Sequence, residues 1–291
     1  MVADYPHYGS LDGESLETNG VSELLSLSNG FSKPQKICYQ VIKDPEEIRA
    51  SLHLRYITYR YVNFIEENKD RIDLDAYDLF STFLGAYNVT GGRKTLVGIL
   101  RIISGDEKGE ASPHIEELIR TARDPKIKSL SKRIEIFPIM ESFKLPHSCL
   151  DYFDKSRAQK SSIHPYEISR LAIRPDYWMY GIDVGLHHLL ILDSWLHNSP
   201  RNDFLIAVHP RSRKRYKMIG FKVIPDTGVV LYKRINQLAI AMIIDLEKYL
   251  QQPRSYRETC ESLLPDFKKN GCFNRMLEKR TSLNSNNHGY I

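Results

Sequence analysis

The stretch YEISRLAI (Tyr166–Ile173), with VGLHHLLILDSWLHN (Val184–Asn198) and DFLIAVHP (Asp203–Pro210) behind it, decides the fold. The first and third runs are short and rich in β-branched and aromatic residues, while the middle one repeats its apolar residues every three to four positions. Strand, helix, strand in that order is a β-α-β unit. Directly downstream, HPRSRKRYKMIGF (His209–Phe221) reads as a short basic helix ending at Gly220. FKVIP and VVLYKRI then read as a closing pair of strands around Asp226, Thr227 and Gly228.

Upstream, KICYQVIK (Lys36–Lys43) is a strand, and DPEE starts a helix in which Asp44 caps, Pro45 takes the first helical position and Glu47 completes a capping box. That helix is expected to reach about Asn63. STFLGAYNV (Ser81–Val89) and KTLVGILRIIS (Lys94–Ser104) form a hairpin around Thr90, Gly91 and Gly92. From Ser112 to Lys160 helical patterning is broken by DP, FP and LP, which predicts an irregular helical insert. Asn236–Gln251 is expected to be an amphipathic helix with Leu238, Met242, Leu246 and Tyr249 or Leu250 on one face. It packs on the domain or, as the other reading, makes peripheral contact with a membrane or partner. The chain is therefore read as one α+β domain over residues 35–235 with an insert at about 105–160. A polar leader (1–34) precedes it, and residues 236–291 form a helix and a tail of disordered composition.

The 41 basic against 36 acidic residues leave a charge of +5, which favours an acidic partner but is too small for a dedicated nucleic-acid binder. Cys38, Cys149, Cys260 and Cys272 have neither zinc nor disulfide-framework spacing, so a reducing, cytoplasmic setting is expected. The first 34 residues lack the basic and apolar regions of a signal peptide. The longest apolar run in the later chain, LAIAMII (Leu238–Ile244), is far short of the ~20 residues that span a bilayer. His187 and His188 are adjacent on a helix and point ~100° apart, a poor pair of metal ligands.

The element order resembles the GNAT N-acyltransferase superfamily, a three-layer fold with a mixed, mostly antiparallel sheet flanked by helices. Within it the details resemble acyl-homoserine-lactone (autoinducer) synthases and, in particular, bacterial long-chain N-acyl amino acid synthases. LRYITYRYVNF carries Arg55 and Tyr59; DAYDLFSTFLGAY carries Asp75 and Asp78; LVGILRI carries Arg101; EISRLAI carries Glu167, Ser169 and Arg170; HPRSRKRYKMIGF carries Tyr216 and the Gly220-Phe221 ending. The resemblance covers about residues 36–235. It implies transfer of a long-chain acyl group to the amine of an amino acid, with no tightly bound cofactor. One place departs from the superfamily's pattern: where a glycine-rich loop would cradle the diphosphate of coenzyme A, this chain reads RPDYWMYGIDVG (Arg174–Gly185). That favours the acyl-phosphopantetheine of an acyl-carrier protein as donor.

The same resemblance assigns roles. Glu167 is the expected base, with Ser169 beside it in the catalytic set, and Tyr216 the expected acid for the leaving thiolate. A backbone N–H near Leu171–Ile173 would bind the oxyanion, and Arg101 or Arg170 the acceptor carboxylate. Arg55, Asp75, Asp78 and Trp178 complete the expected substrate site. Structural readings stand beside these: Arg101 with Asp75 or Asp78 equally fits a buried ion-pair network, Glu167 with Arg170 is open to the same reading, and Trp178, Tyr177 and Tyr180 fit a core loop. Arg201, Arg211, Arg213, Lys214, Arg215 and Lys217 offer a docking face for the acidic carrier protein, or a solvated helix face. With Tyr216 as its only aromatic, the run makes a weak nucleic-acid site. The other functional readings are an acyl-homoserine-lactone synthase using S-adenosylmethionine and a non-catalytic acyl- or polyanion-binding module. Strict strand alternation would put Arg170 on the face opposite Glu167 and Ser169, so a shared site requires a bulge, expected between Arg170 and Ile173.

Overall fold

The computed structural model describes residues 35–104, 111–130, 137–145, 165–196, 203–232, 237–245 and 256–277. The leader, Cys149, Arg201 and the final stretch from residue 278 lie outside them. Strand β1 (Gln35–Ile42) leads into helix α1 (Pro45–Tyr61), where the Asp44 side chain accepts the Glu46 and Glu47 N–H groups. The Glu47 carboxylate accepts a hydrogen bond from Gln40. A 3-10 turn (Ala76–Phe80) precedes the hairpin of β2 (Ser81–Thr90) and β3 (Arg93–Ser104). Gly91 and Gly92 both have positive φ, 57° and 79°, as a tight primed hairpin turn requires. The insert holds α2 (Pro113–Thr121), α3 (Pro125–Lys128) and α4 (Pro138–Ser142). The decisive unit follows as β4 (Pro165–Ile173), a 3-10 turn (Pro175–Tyr180), α5 (Ile182–Leu196) and β5 (Asp203–Val208). After it come α6 (Arg213–Met218), β6 (Lys222–Val223), β7 (Val229–Tyr232), β8 (Gln237–Asp245), α7 (Tyr256–Asn270) and β9 (Cys272–Leu277).

Among the described residues, nine strands join one mixed sheet in the order β6-β8-β5-β4-β3-β2-β1-β9, with β7 also on β8, and the β4–β5 pairing alone is parallel. One face packs Leu100, Ile168, Phe204 and Met242 against Leu186 and Leu189 of α5. The other packs Phe83 and Ile99 against Leu52 of α1 and Ile115 of α2, and, further along, Ile103, Leu205 and Ala241 against Ile139 of α4. Helix α5 crosses β1 so closely that a Cβ on Gly185 would lie 2.1 Å from the Tyr39 ring. The sheet is mixed, mostly antiparallel and flanked by helices, the α+β architecture that the order of elements leads one to expect.

Three expectations are corrected. The segment expected to form an amphipathic helix at Asn236–Gln251 is strand β8 as far as Asp245, with residues 246–251 outside the described ones. Seven consecutive apolar residues with no polar stripe mark a strand covered on both faces, and β8 lies between β5 and β6. FKVIP and VVLYKRI do not pair with each other: β6 and β7 both run antiparallel along one edge of β8, separated by an excursion at 225–228. The hairpin partner of β7 is therefore β8. The domain does not end at 235, since α7 and β9 extend it, and β9 pairs with β1 while Phe273 stacks on Tyr39 at 5.0 Å between ring centres.

Candidate active site

Strands β4 and β5 pair only from Pro165/Asp203 to Ile168/Ile206, and beyond that they separate. On its other side β4 holds its register with β3 until Ser169 opposite Arg101, then resumes with Ala172 opposite Ile99. One β3 residue thus spans two of β4, and Arg170 at φ 55° is the kink. That is the expected bulge. It brings Arg170 around to the side of Glu167 and Ser169, at a backbone cost of about 1–3 kcal/mol for a non-glycine residue in the left-handed region. From Ser169 to Ile173 the β4 edge facing β5 has no strand partner among the described residues.

A cavity of about 280 Å³ occupies this opening, and its walls include Arg101, Glu167, Ser169, Arg170, Arg211 and Tyr216. Much of the rest is carbon, from Leu100, Ile168, Ile206 and Val208. Glu167 is 1% exposed, and its carboxylate accepts the Ile139 N–H at 3.0 Å from the first turn of α4. Tyr216 reaches the cavity from α6, wedged edge-on against His187 of α5 and against Phe221.

Behind the cavity three arginines meet three aspartates. Arg55 contacts Asp73 at 2.9 Å and grips both oxygens of Asp78 at 2.6 and 3.2 Å. Arg101 reaches Asp75 at 2.6 Å, Asp78 at 2.8 Å and Ser169 Oγ at 3.0 Å. Arg170 contacts Asp75 at 3.1 Å and Asp73 at 3.4 Å, with its guanidinium 5.6 Å from the Tyr59 ring centre. Asp75 and Asp78 also form a capping box on the 3-10 turn before β2. Three charges of each sign cancel. Burial alone would raise the Asp75 carboxyl, but Arg101 and Arg170 more than reverse this and hold it well below the usual carboxylate range. Burial would likewise lower Arg101 and Arg170, and the carboxylates raise both instead.

The structure brings Arg101, Glu167, Ser169, Arg170 and Tyr216 to one cavity, whereas Arg55, Asp75 and Asp78 sit in the ion-pair layer and are not among its walls. Trp178 is also not a wall; its indole N–H donates to the Ile173 carbonyl and its ring meets Tyr61. On the basic face Arg211, Arg213, Lys214 and Lys217 are exposed, but Arg215 turns inward to pair with Asp183 of α5. Sequence reading missed Asp73, which balances the third arginine. The spacing of Asp73, Asp75 and Asp78, set against three buried-type arginines, was the available signal. It also missed Ile139, whose N–H no side-chain pattern reveals.

His187 and His188 share α5 and are 1% and 4% exposed. Burial pushes His187 down to about 4, with its Nδ1 2.7 Å from the Asp183 carbonyl; burial, then Arg275, pushes His188 down to about 3. Both stay neutral in the folded chain over a range where the unfolded chain, at about 6.5, takes up protons. Stability present above pH 6.5 is therefore lost as pH falls toward 4, at up to about 1.4 kcal/mol per pH unit for each imidazole. Below about pH 4 the depressed Asp73 and Asp75 add to the same slope. Urea unfolding at pH 7.5 and pH 5 should show a clear drop in midpoint; equal midpoints would mean that these imidazoles reach solvent.

No family model matches the chain, and no curated protein does. Among solved structures it is similar to FeeM, an N-acyl amino acid synthase from uncultured soil microbes, at TM-score 0.48 and 15% identity over 75% of this chain and 95% of that one. It is also similar to BjaI, a CoA-dependent acyl-homoserine lactone synthase, at TM-score 0.42 and 16% identity over 74% and 91%. MesI, another CoA-dependent acyl-homoserine lactone synthase, is similar at TM-score 0.39 and 15% identity over 76% and 88%.

Proposed function

We propose that the chain is an N-acyltransferase that moves a long-chain fatty acyl group from the thioester of an acyl-carrier protein to the amine of an amino acid. The observation that supports this best is the opened β4–β5 pair, where a carboxylate, a phenol and a backbone edge with no strand partner among the described residues surround a cavity with largely apolar walls. In this reading Glu167 takes a proton from the acceptor ammonium, directly or through water. The freed amine attacks the thioester carbon, and a β4 backbone N–H between Ser169 and Ile173 holds the oxyanion. The C–N bond forms, the nitrogen gives up its second proton to solvent, the C–S bond breaks, and the Tyr216 O–H protonates the departing thiolate and is itself reprotonated from solvent. Ser169 serves by fixing Arg101 through its hydroxyl. Of the three arginines, Arg170 suits the acceptor carboxylate best: it lines the cavity and its ionic contacts, at 3.1 and 3.4 Å, are longer than those of Arg101.

The test is incubation with a long-chain acyl-carrier protein and amino acids, followed by mass spectrometry. An N-acyl amino acid is the expected product. A lactone formed with S-adenosylmethionine would assign synthase activity of that other kind, and no product would leave an acyl-binding module. Carrier docking is tested separately by Arg213→Glu, Lys214→Glu and Lys217→Glu together, three exposed positions on the helix that carries Tyr216. The Michaelis constant for carrier-bound donor should rise about tenfold or more, while a small thioester surrogate is unaffected. Equal effects on both donors would undo the docking face.

A further inference from the structure

Helix α5 follows β4 and α6 follows β5, so both helices begin at the end where the two parallel strands part, the usual ligand side of an open sheet. A helix start of this kind attracts anions through its free N–H groups and dipole, and a diphosphate is its common occupant. Here an internal anion already occupies that turn. Asp183, with its side chain 6% exposed in the first turn of α5, pairs with Arg215 of α6. The lead-in turn holds Tyr177 and Tyr180, 2% and 5% exposed, and Tyr177 Oη accepts from Asn88 Nδ2 at 2.8 Å. Gly185, the second glycine of the segment, is spent on the close approach to Tyr39.

We propose that the Asp183–Arg215 pair selects the donor: its carboxylate repels a diphosphate from the α5 start, and its arginine is the cation a diphosphate would otherwise recruit. The site then takes acyl-pantetheine thioesters lacking the adenosine diphosphate end, which a carrier protein presents. This rests on the acyl-transfer reading above and specifies its donor. It also removes Arg215 from the docking face.

The test measures binding of thioether analogues of acyl-coenzyme A and acyl-pantetheine by calorimetry to the full chain. The wild type should bind the coenzyme A analogue no more tightly than the pantetheine one. Asp183→Asn, which releases Arg215, should raise the preference for the coenzyme A analogue by about tenfold or more. A wild type that favours the coenzyme A analogue tenfold, or a ratio unchanged by Asp183→Asn, overturns the proposal, and the wild-type comparison decides alone should the variant not fold. These binding ratios stand whether or not the wild type turns over an acyl thioester. Absence of turnover would sink the acyl-transfer reading alone.

Discussion

Asp78→Ala is expected to destabilise the protein by about 3–5 kcal/mol, because it strips the shared carboxylate from two buried guanidiniums. Asp78 is 0% exposed and sits 2.6 Å from Arg55 and 2.8 Å from Arg101, themselves 0% and 1% exposed. Arg55 cannot regain water without opening the seam between α1 and β3. The capping box on the turn before β2 is lost in the same step. For contrast, Glu117→Ala removes an exposed pair with Arg120, side chains 54% and 73% exposed, and should cost less than about 1 kcal/mol. Urea unfolding of both variants checks this. A loss under about 1 kcal/mol for Asp78→Ala would show that the cluster is solvated and does not hold the sheet to α1.

The second large effect is on turnover. Glu167→Gln retains an oxygen to accept the Ile139 N–H but cannot take a proton, and Tyr216→Phe retains the ring between His187 and Phe221 but loses the acidic hydroxyl. Each should lower kcat by about 10²–10⁴-fold with little change in unfolding midpoint. The pH profile of kcat/KM should lose its acid limb in Glu167→Gln and its alkaline limb in Tyr216→Phe. Full activity in both variants would refute these roles; loss of activity together with loss of folding in either would reduce that residue to a structural part.

The candidate site was legible where chemistry and local pattern coincide. Glu167, Ser169 and Arg170 stand together in YEISRLAI, and the clash between their spacing and strict alternation pointed to a bulge that Arg170 supplies at φ 55°. Charge alone was less informative. Arg215 looks like its exposed neighbours in RSRKRY, yet it pairs with Asp183, 32 positions earlier in the chain. Asp73 looks like a surface acid in DLDAYD, yet it is 8% exposed and answers Arg55 and Arg170. For LAIAMIID the periodicity itself misled: Leu238 and Met242 share a side on a helix, and as alternate positions they also share one on a strand.

By itself the sequence determined the kind and order of most elements: the capped helix at Asp44, the Gly91-Gly92 hairpin, the β4-α5-β5 unit and the basic turn after it. Those follow from periodicity, caps and turn residues, which act between near neighbours. Only the tertiary structure decided the partners: β8 between β5 and β6, β9 on β1, Glu167 on Ile139, and three arginines cancelled by three aspartates. Ladders and buried ion pairs join residues far apart in the chain, and water is excluded from them only once the sheet and its covering helices have assembled.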